Sequence, residues 1–156
     1  VSKLKTYNAI IFNTESYLRD KHYLIPKICI AAINAKHFGT KTAFGNIDVS
    51  REWNWCEEQS KYLIKFLKKK PQDFILSNGK SHTAKDMFKF AFNYFKIDYS
   101  NYILIKKNFF RSKDIRTKSS DFKACLKRNK MGRTVKIFGR KIIELMILHY
   151  LNEKKY

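Results

Sequence analysis

The apolar positions of this chain fall into short bursts of two kinds. Residues 7–12 (YNAIIF) form a compact apolar run of strand length, which predicts a buried strand closed by a turn at Asn13-Thr-Glu-Ser16. Over residues 22–35 the spacing becomes helical, with Leu24, Ile25, Ile28, Ala31 and Ala32 on one face. Pro26 suits that helix only in its first turn, where a missing N–H costs nothing. Gly39 supplies the stop, because a residue without Cβ enters the left-handed C-terminal conformation most easily. Residues 42–45 predict another short strand. Residues 56–69 predict a helix with Tyr62, Leu63, Phe66 and Leu67 inward, stopped before Pro71.

The second half repeats the alternation. Residues 73–76 (DFIL) predict a strand followed by a turn at Ser77-Asn-Gly79. Thr83 and Asp86 have the spacing of a capping box and open a helix that buries Met87, Phe88, Ala91, Phe92 and Phe95. Residues 102–105 predict a strand and residues 122–129 a short helix. Residues 139–152 form the last helix, with Ile142, Ile143, Leu145, Met146 and Leu148 inward. Short strands alternating with helices predict an α/β, helix-rich fold with four or five short strands, too few for a complete doubly wound sheet. No repeat or linker divides the 156 residues, so one domain is expected.

Composition changes this picture little. The chain carries 33 Lys plus Arg against 13 Asp plus Glu, a formal charge of +20, which attracts polyanions. Lysine supplies 26 of those cations and arginine only 7, whereas specific base and phosphate readers favour the arginine fork. Lys, Ile, Phe, Asn and Tyr, which share A/T-rich codons, make up 76 of the 156 residues, so codon bias explains much of the charge. Nucleic acid is therefore not the expected partner. No run reaches the ~18 consecutive apolar residues of a membrane span. Cys29, Cys56 and Cys125 are odd in number and widely spaced, which gives neither a disulfide framework nor a zinc site and fits a reducing cytoplasm.

Local catalytic signatures are missing as well. The chain has no G-x-G-x-x-G and no G-x-x-x-x-G-K-[ST], hence no recognisable phosphate cradle of its own. His22, His37, His82 and His149 are scattered and form no metal pair. Tyr-x-x-x-Lys, in which a cation lowers a phenol pKa, occurs at Tyr17/Lys21, Tyr23/Lys27, Tyr102/Lys106 and Tyr150/Lys154. With 9 Tyr and 26 Lys such pairs arise by chance, and none is assigned a catalytic role.

Several segments in order resemble one family. Ile10-Ile-Phe-Asn-Thr-Glu-Ser16 with Arg19 is similar to the I-L-F-N-H-E-S-P-x-R strand and turn of GDP-mannose 4,6-dehydratases, members of the extended short-chain dehydrogenase/reductase superfamily. Leu24-Ile-Pro-Lys-Ile28 resembles the helix start that follows. Phe44-Gly-Asn-Ile-Asp48 with Arg51-Glu-Trp53 and Trp55 resembles L-G-N-L-D-x-x-R-D-W-G-x. Residues 71–76 with Gly79 resemble P-D-D-Y-V-L-A-T-G, Ile97-Asp98-Tyr99 stands where G-L-D-W falls, and Phe110-Arg-Ser-Lys-Asp114 resembles F-R-P-x-D. Order and spacing agree from about Tyr7 to Ile115.

The resemblance implies a partial fold. Residues 1–156 would be the C-terminal substrate-binding portion, made of the last strand of the dinucleotide-binding sheet (about 7–12) and the sugar-nucleotide-binding region. The N-terminal dinucleotide-binding domain, with the family's glycine-rich loop and catalytic Thr, Glu and Tyr-x-x-x-Lys, would be absent. The expected ligand is GDP-mannose or a related sugar nucleotide, contacted by Asn13, Lys27, Gly45, Asn46, Arg51 and Arg111. Lys27, Arg51 and Arg111 would converge on the diphosphate, because two fixed negative charges need cations at fixed geometry. In the family Thr14 and Arg19 stand where residues contact NADP. Threonine replaces a histidine there, so this chain alone is not expected to retain the cofactor. The full enzyme would convert GDP-mannose to GDP-4-keto-6-deoxymannose, and this chain alone would be inactive. A separate N-terminal half or a homo-oligomer is the possible protein partner. Three alternatives stay open: Arg51 pairs with Glu52 or Asp48 while Trp53 and Trp55 only pack, the chain is a basic module for RNA or another polyanion, or it is a decayed remnant.

Overall fold

The computed structural model describes residues 4–110, 117–118, 123, 127 and 135–153. Three parallel two-stranded ribbons form its sheets. The strands β1 (Ala9–Ile11) and β6 (Phe74–Leu76) pair with Ile10 opposite Ile75. The strands β2 (Asn13–Glu15) and β5 (Trp53–Trp55) pair with Glu15 opposite Trp55. The strands β3 (Thr42–Phe44) and β8 (Ile103–Ile105) pair with Phe44 opposite Ile105. A fourth sheet sets β4 (Ser50–Arg51) antiparallel to β7 (His82–Thr83) and parallel to β9 (Thr117–Lys118). Parallel pairs need crossovers, and helices α1 (Leu24–Phe38), α2 (Cys56–Leu67) and α3 (Ala84–Tyr94) lie within them, with α4 (Arg140–Asn152) last.

The α/β class is as expected, but the described residues hold nine short strands rather than four or five. Residues 13–15 form β2 instead of a turn, because Asn, Thr and Glu find their ladder partners some forty positions later on β5. Residues 7–12 are not a buried strand. Ile10 and Ile11 are 54% and 47% exposed, since β1 has a single strand partner, β6, among the described residues. Two helical faces are also rotated from expectation. Leu67 and Leu148 are exposed, and Ile147 and Tyr150 are buried on α4 beside Ile143 and Met146. The helix predicted over 122–129 lies outside the described residues except for Lys123 and Lys127.

The main core sits where α1, α3 and α4 pack on one another. Ile25, Ile28, Cys29 and Ala32 meet Phe88, Phe92, Ile142, Met146 and the buried Trp53. A satellite cluster under α2 stacks Phe66 on Phe74 at 4.0 Å and 7°. Helix ends follow the sequence closely. Gly39 caps α1 at φ 65°, and Pro26 lies in its first turn. The capping box at α3 is complete. Asp86 N donates to Thr83 Oγ1 (3.0 Å) and Thr83 N donates to Asp86 Oδ2 (2.9 Å). Thr83→Ala should therefore lower stability by about 1 kcal/mol, readable as a small shift in a urea midpoint, whereas Thr83→Ser should be nearly silent. Among the described residues no helix is long and apolar enough to cross a membrane.

Candidate functional site

The loops after parallel strands are where open α/β sheets bind ligands, and one such place is well built here. At the carboxyl ends of β3 and β8, Lys106 N donates to Phe44 O (2.8 Å) and joins the two strand ends. Gly45 follows at once. A Cβ on it would lie 2.7 Å from Phe109 O, so the residue must be glycine for the turn at Lys107–Phe109 to close over it. Phe109 thus stands against one side of the Gly45 backbone. Lys27, in the first turn of α1, reaches the same spot. Its Nζ donates to Ala43 O (2.8 Å) and sits 4.7 Å from the Phe44 ring centroid and 5.8 Å from that of Phe109. An ammonium has three protons, so Lys27 keeps donors for an anion.

The other residues lie around this cluster. Asn46 closes a local turn by accepting from Asp48 N at its Oδ1 (2.9 Å), leaving its amide NH2 for other partners. Arg51 stands on the separate three-stranded sheet, across from His82, and its Nη1 donates to Ser50 O (2.8 Å). Trp53 and Trp55 are buried. Asn13 is exposed at the start of β2, and its carbonyl accepts weakly from Asn54 Nδ2 (3.4 Å). Arg111 lies outside the described residues.

Thr14 and Arg19 fit a dinucleotide unequally. The Thr14 hydroxyl is 2.6 Å from Gln59 Oε1 and 3.0 Å from Phe12 O, and its one proton is committed between them. Arg19 lays its guanidinium 3.7 Å over the Tyr23 ring, and its buried Nε has no partner. Arg19 therefore has a donor to spare for an anionic cofactor group and Thr14 has not.

Sequence reasoning missed two buried polar groups nearby. Glu15 is 3% exposed, and its Oε2 has no hydrogen-bond partner. Burial pushes its carboxyl up to about 7, with the Arg19 charge acting in the opposite direction. Burial first, and then the Glu15 charge, drive the Cys29 thiol upward, so that thiol is inert at neutral pH. The second group is a network behind Arg51. Glu52 Oε1 accepts from Asn78 N (2.8 Å), and Asn78 Nδ2 donates to Trp53 O and Asn54 Oδ1 (2.7 Å each). This network fixes β5 to the loop after β6. Glu and Asn scattered over 26 positions carry no sequence pattern that would announce it.

A sequence profile of the family described as GDP-mannose 4,6 dehydratase matches residues 1–137. GDP-mannose 4,6 dehydratase 1 of Arabidopsis thaliana is 28% identical over 142 residues, covering 90% of this chain and 39% of that protein. The fold is similar to that of RMD from Pseudomonas aeruginosa complexed with NADPH, at TM-score 0.79 and 12% identity over 96% of this chain and 49% of that one. It is also similar to UDP-N-acetylglucosamine 4-epimerase from Methanobrevibacter ruminantium in complex with UDP-N-acetylmuramic acid, at TM-score 0.75 and 16% identity, covering 96% and 47%. The chain thus spans about two-fifths of the plant relative and about half of each solved structure. With most of its length matched by that profile, this chain belongs to the GDP-mannose 4,6 dehydratase family.

Proposed function

We propose that the chain is the sugar-nucleotide-binding part of a GDP-mannose 4,6-dehydratase-like protein. In this reading the diphosphate of GDP-mannose is held by Lys27, Arg51 and Arg111, with Asn13 and Asn46 contributing polar contacts. The observation that carries it is the position of Lys27, an ammonium with unused protons at the carboxyl ends of two parallel strands and in the first turn of a helix. Helix N–H groups and a fixed cation are the two ingredients of an anion site. The chain's own part is binding and orientation. Acid, base and hydride chemistry belong to a dinucleotide-binding part, and β1, paired only with β6 among the described residues, offers that part a strand edge with half-exposed isoleucines. The chain by itself then binds GDP-mannose without converting it to the 4-keto-6-deoxy product.

Calorimetric titration with GDP-mannose tests this directly. GDP should compete and free mannose should not. Arg51→Ala should weaken binding about tenfold or more, since a charge-assisted pair to phosphate contributes roughly 1.5–3 kcal/mol. Binding that collapses with salt and ignores GDP-mannose would instead support a polyanion module. No heat and no thermal shift with GDP-mannose would leave the proposal without its ligand.

A further inference from the structure

A concave feature that does not include Lys27 lies between β7, α3 and the start of α4. It is an open depression of about 440 Å³. Its walls are aromatic: the His82 ring meets Phe90 edge-on at 5.6 Å and lies nearly parallel to Phe138 at 6.4 Å. Its rim is cationic, with Lys136, Arg140 and Lys141, and among the described residues no carboxylate or carboxamide lines it. Arg140 is tied to Glu144 (2.7 Å), but neither Lys136 nor Lys141 has an ion-pair partner among the described residues.

The cavity is held in shape from two sides. Glu58 Oε2 accepts from Lys136 N (2.8 Å) and Ile137 N (2.7 Å), which fixes the segment leading into α4. Gly139 then turns the chain at φ 55°. A Cβ there would lie 2.6 Å from His82 Nε2, so glycine is what lets the imidazole sit against the helix start. The Nε2 atom is buried and has no hydrogen-bond partner. The first turn of α4 has neither an acidic residue nor a side-chain cap.

These features select a ligand class. A sugar would need carboxylates or amides to match its hydroxyls, and the described lining residues offer none. A bare phosphate would leave three rings unused. We infer that this cavity binds a nucleoside monophosphate, with the base against Phe90, Phe138 and His82 and the phosphate between the Lys136 and Lys141 ammonium groups. This site shares no lining residue with Lys27, although His82 stands across from Arg51 on β4, and it does not rest on the reading proposed around Lys27.

The probe is GMP, with guanosine and inorganic phosphate as its two halves, followed by NMR at the His82 ring protons of the full chain. GMP should shift the His82 signals and bind at least tenfold more tightly than either half. Lys136→Glu and Lys141→Glu, both at exposed positions, should each weaken GMP about fivefold or more while leaving the melting temperature unchanged. Lys27→Ala, at the residue that carries the sugar-nucleotide reading and outside this lining, should leave the GMP-induced shift in place. The inference is overturned if millimolar GMP leaves His82 unmoved, or if inorganic phosphate binds as tightly as GMP. Indifference to both lysine reversals would also overturn it, as would loss of the GMP shift under saturating GDP-mannose.

Discussion

Phe88→Ala should destabilise the fold by about 3–5 kcal/mol. Phe88 is fully buried, meets Phe44 edge-on at 4.7 Å, and lies 6.0 Å from Tyr99 and 6.5 Å from Phe92. Alanine removes the ring from all three and leaves a cavity that close-packed neighbours fill only in part. For a domain of this size the loss corresponds to a fall in melting temperature of roughly 10 °C. The effect also reaches the candidate site. Phe44 stands between Phe88 on one side and the Lys27 ammonium on the other, and it is the last residue before Gly45. Weaker GDP-mannose binding should accompany the lower melting temperature. Phe88→Leu, which fills most of the space, should recover the larger part of both. A melting temperature within about 2 °C of the parent would mean that α3 is not packed on β3 as described.

Glu15→Gln should act in the opposite direction, and only above acidic pH. The Glu15 carboxyl is raised from 4.5 to about 7 in the folded chain, so between those values the folded state binds more protons than the unfolded state. Stability of the parent protein therefore falls as pH rises through this window and is lowest above it. A tenfold change in proton affinity corresponds to about 1.4 kcal/mol, so the buried carboxylate costs on the order of 3 kcal/mol at pH 8. Glutamine never ionises and should remove that cost. Urea denaturation should find the variant more stable than the parent at about pH 8 and nearly equal to it at about pH 4. Parallel pH dependence of the two proteins across that window would show that Glu15 is not the group responsible. The carboxylate stays costly because Arg19, the cation that lowers its pKa, is engaged with the Tyr23 ring.

The candidate site is partly legible in this sequence. The family resemblance points to Lys27 and Gly45, and the fold does bring them together, through the ring of Phe44 and the turn at Phe109. The reason for Gly45 is not legible. Its missing side chain makes room for a backbone carbonyl sixty-four positions later, and nothing local encodes that approach. Asn46 reads locally as a turn residue and behaves as one. Glu15, Asn78 and His82 owe their importance to burial, which a sequence expresses only through the periodicity of apolar neighbours.

Local rules carry the helices. The Thr83/Asp86 box, Pro26 in a first turn and Gly39 after a last one each act through backbone geometry within a few residues. Apolar spacing identifies Ile28, Phe92 and Ile142 as core for the same reason. The strands divide differently. Residues 42–45, 73–76 and 102–105 are apolar enough to be read alone, whereas β2, β4 and β7 have two or three residues and exist as strands because partners far along the chain complete their hydrogen bonds. Helices, their caps and the family are thus written in the order of the residues, through interactions a few positions long. Which short polar segments became strands, which carboxyl was buried and where the Lys27 ammonium came to rest were settled by folding, because each depends on contacts that exist only once distant segments have met.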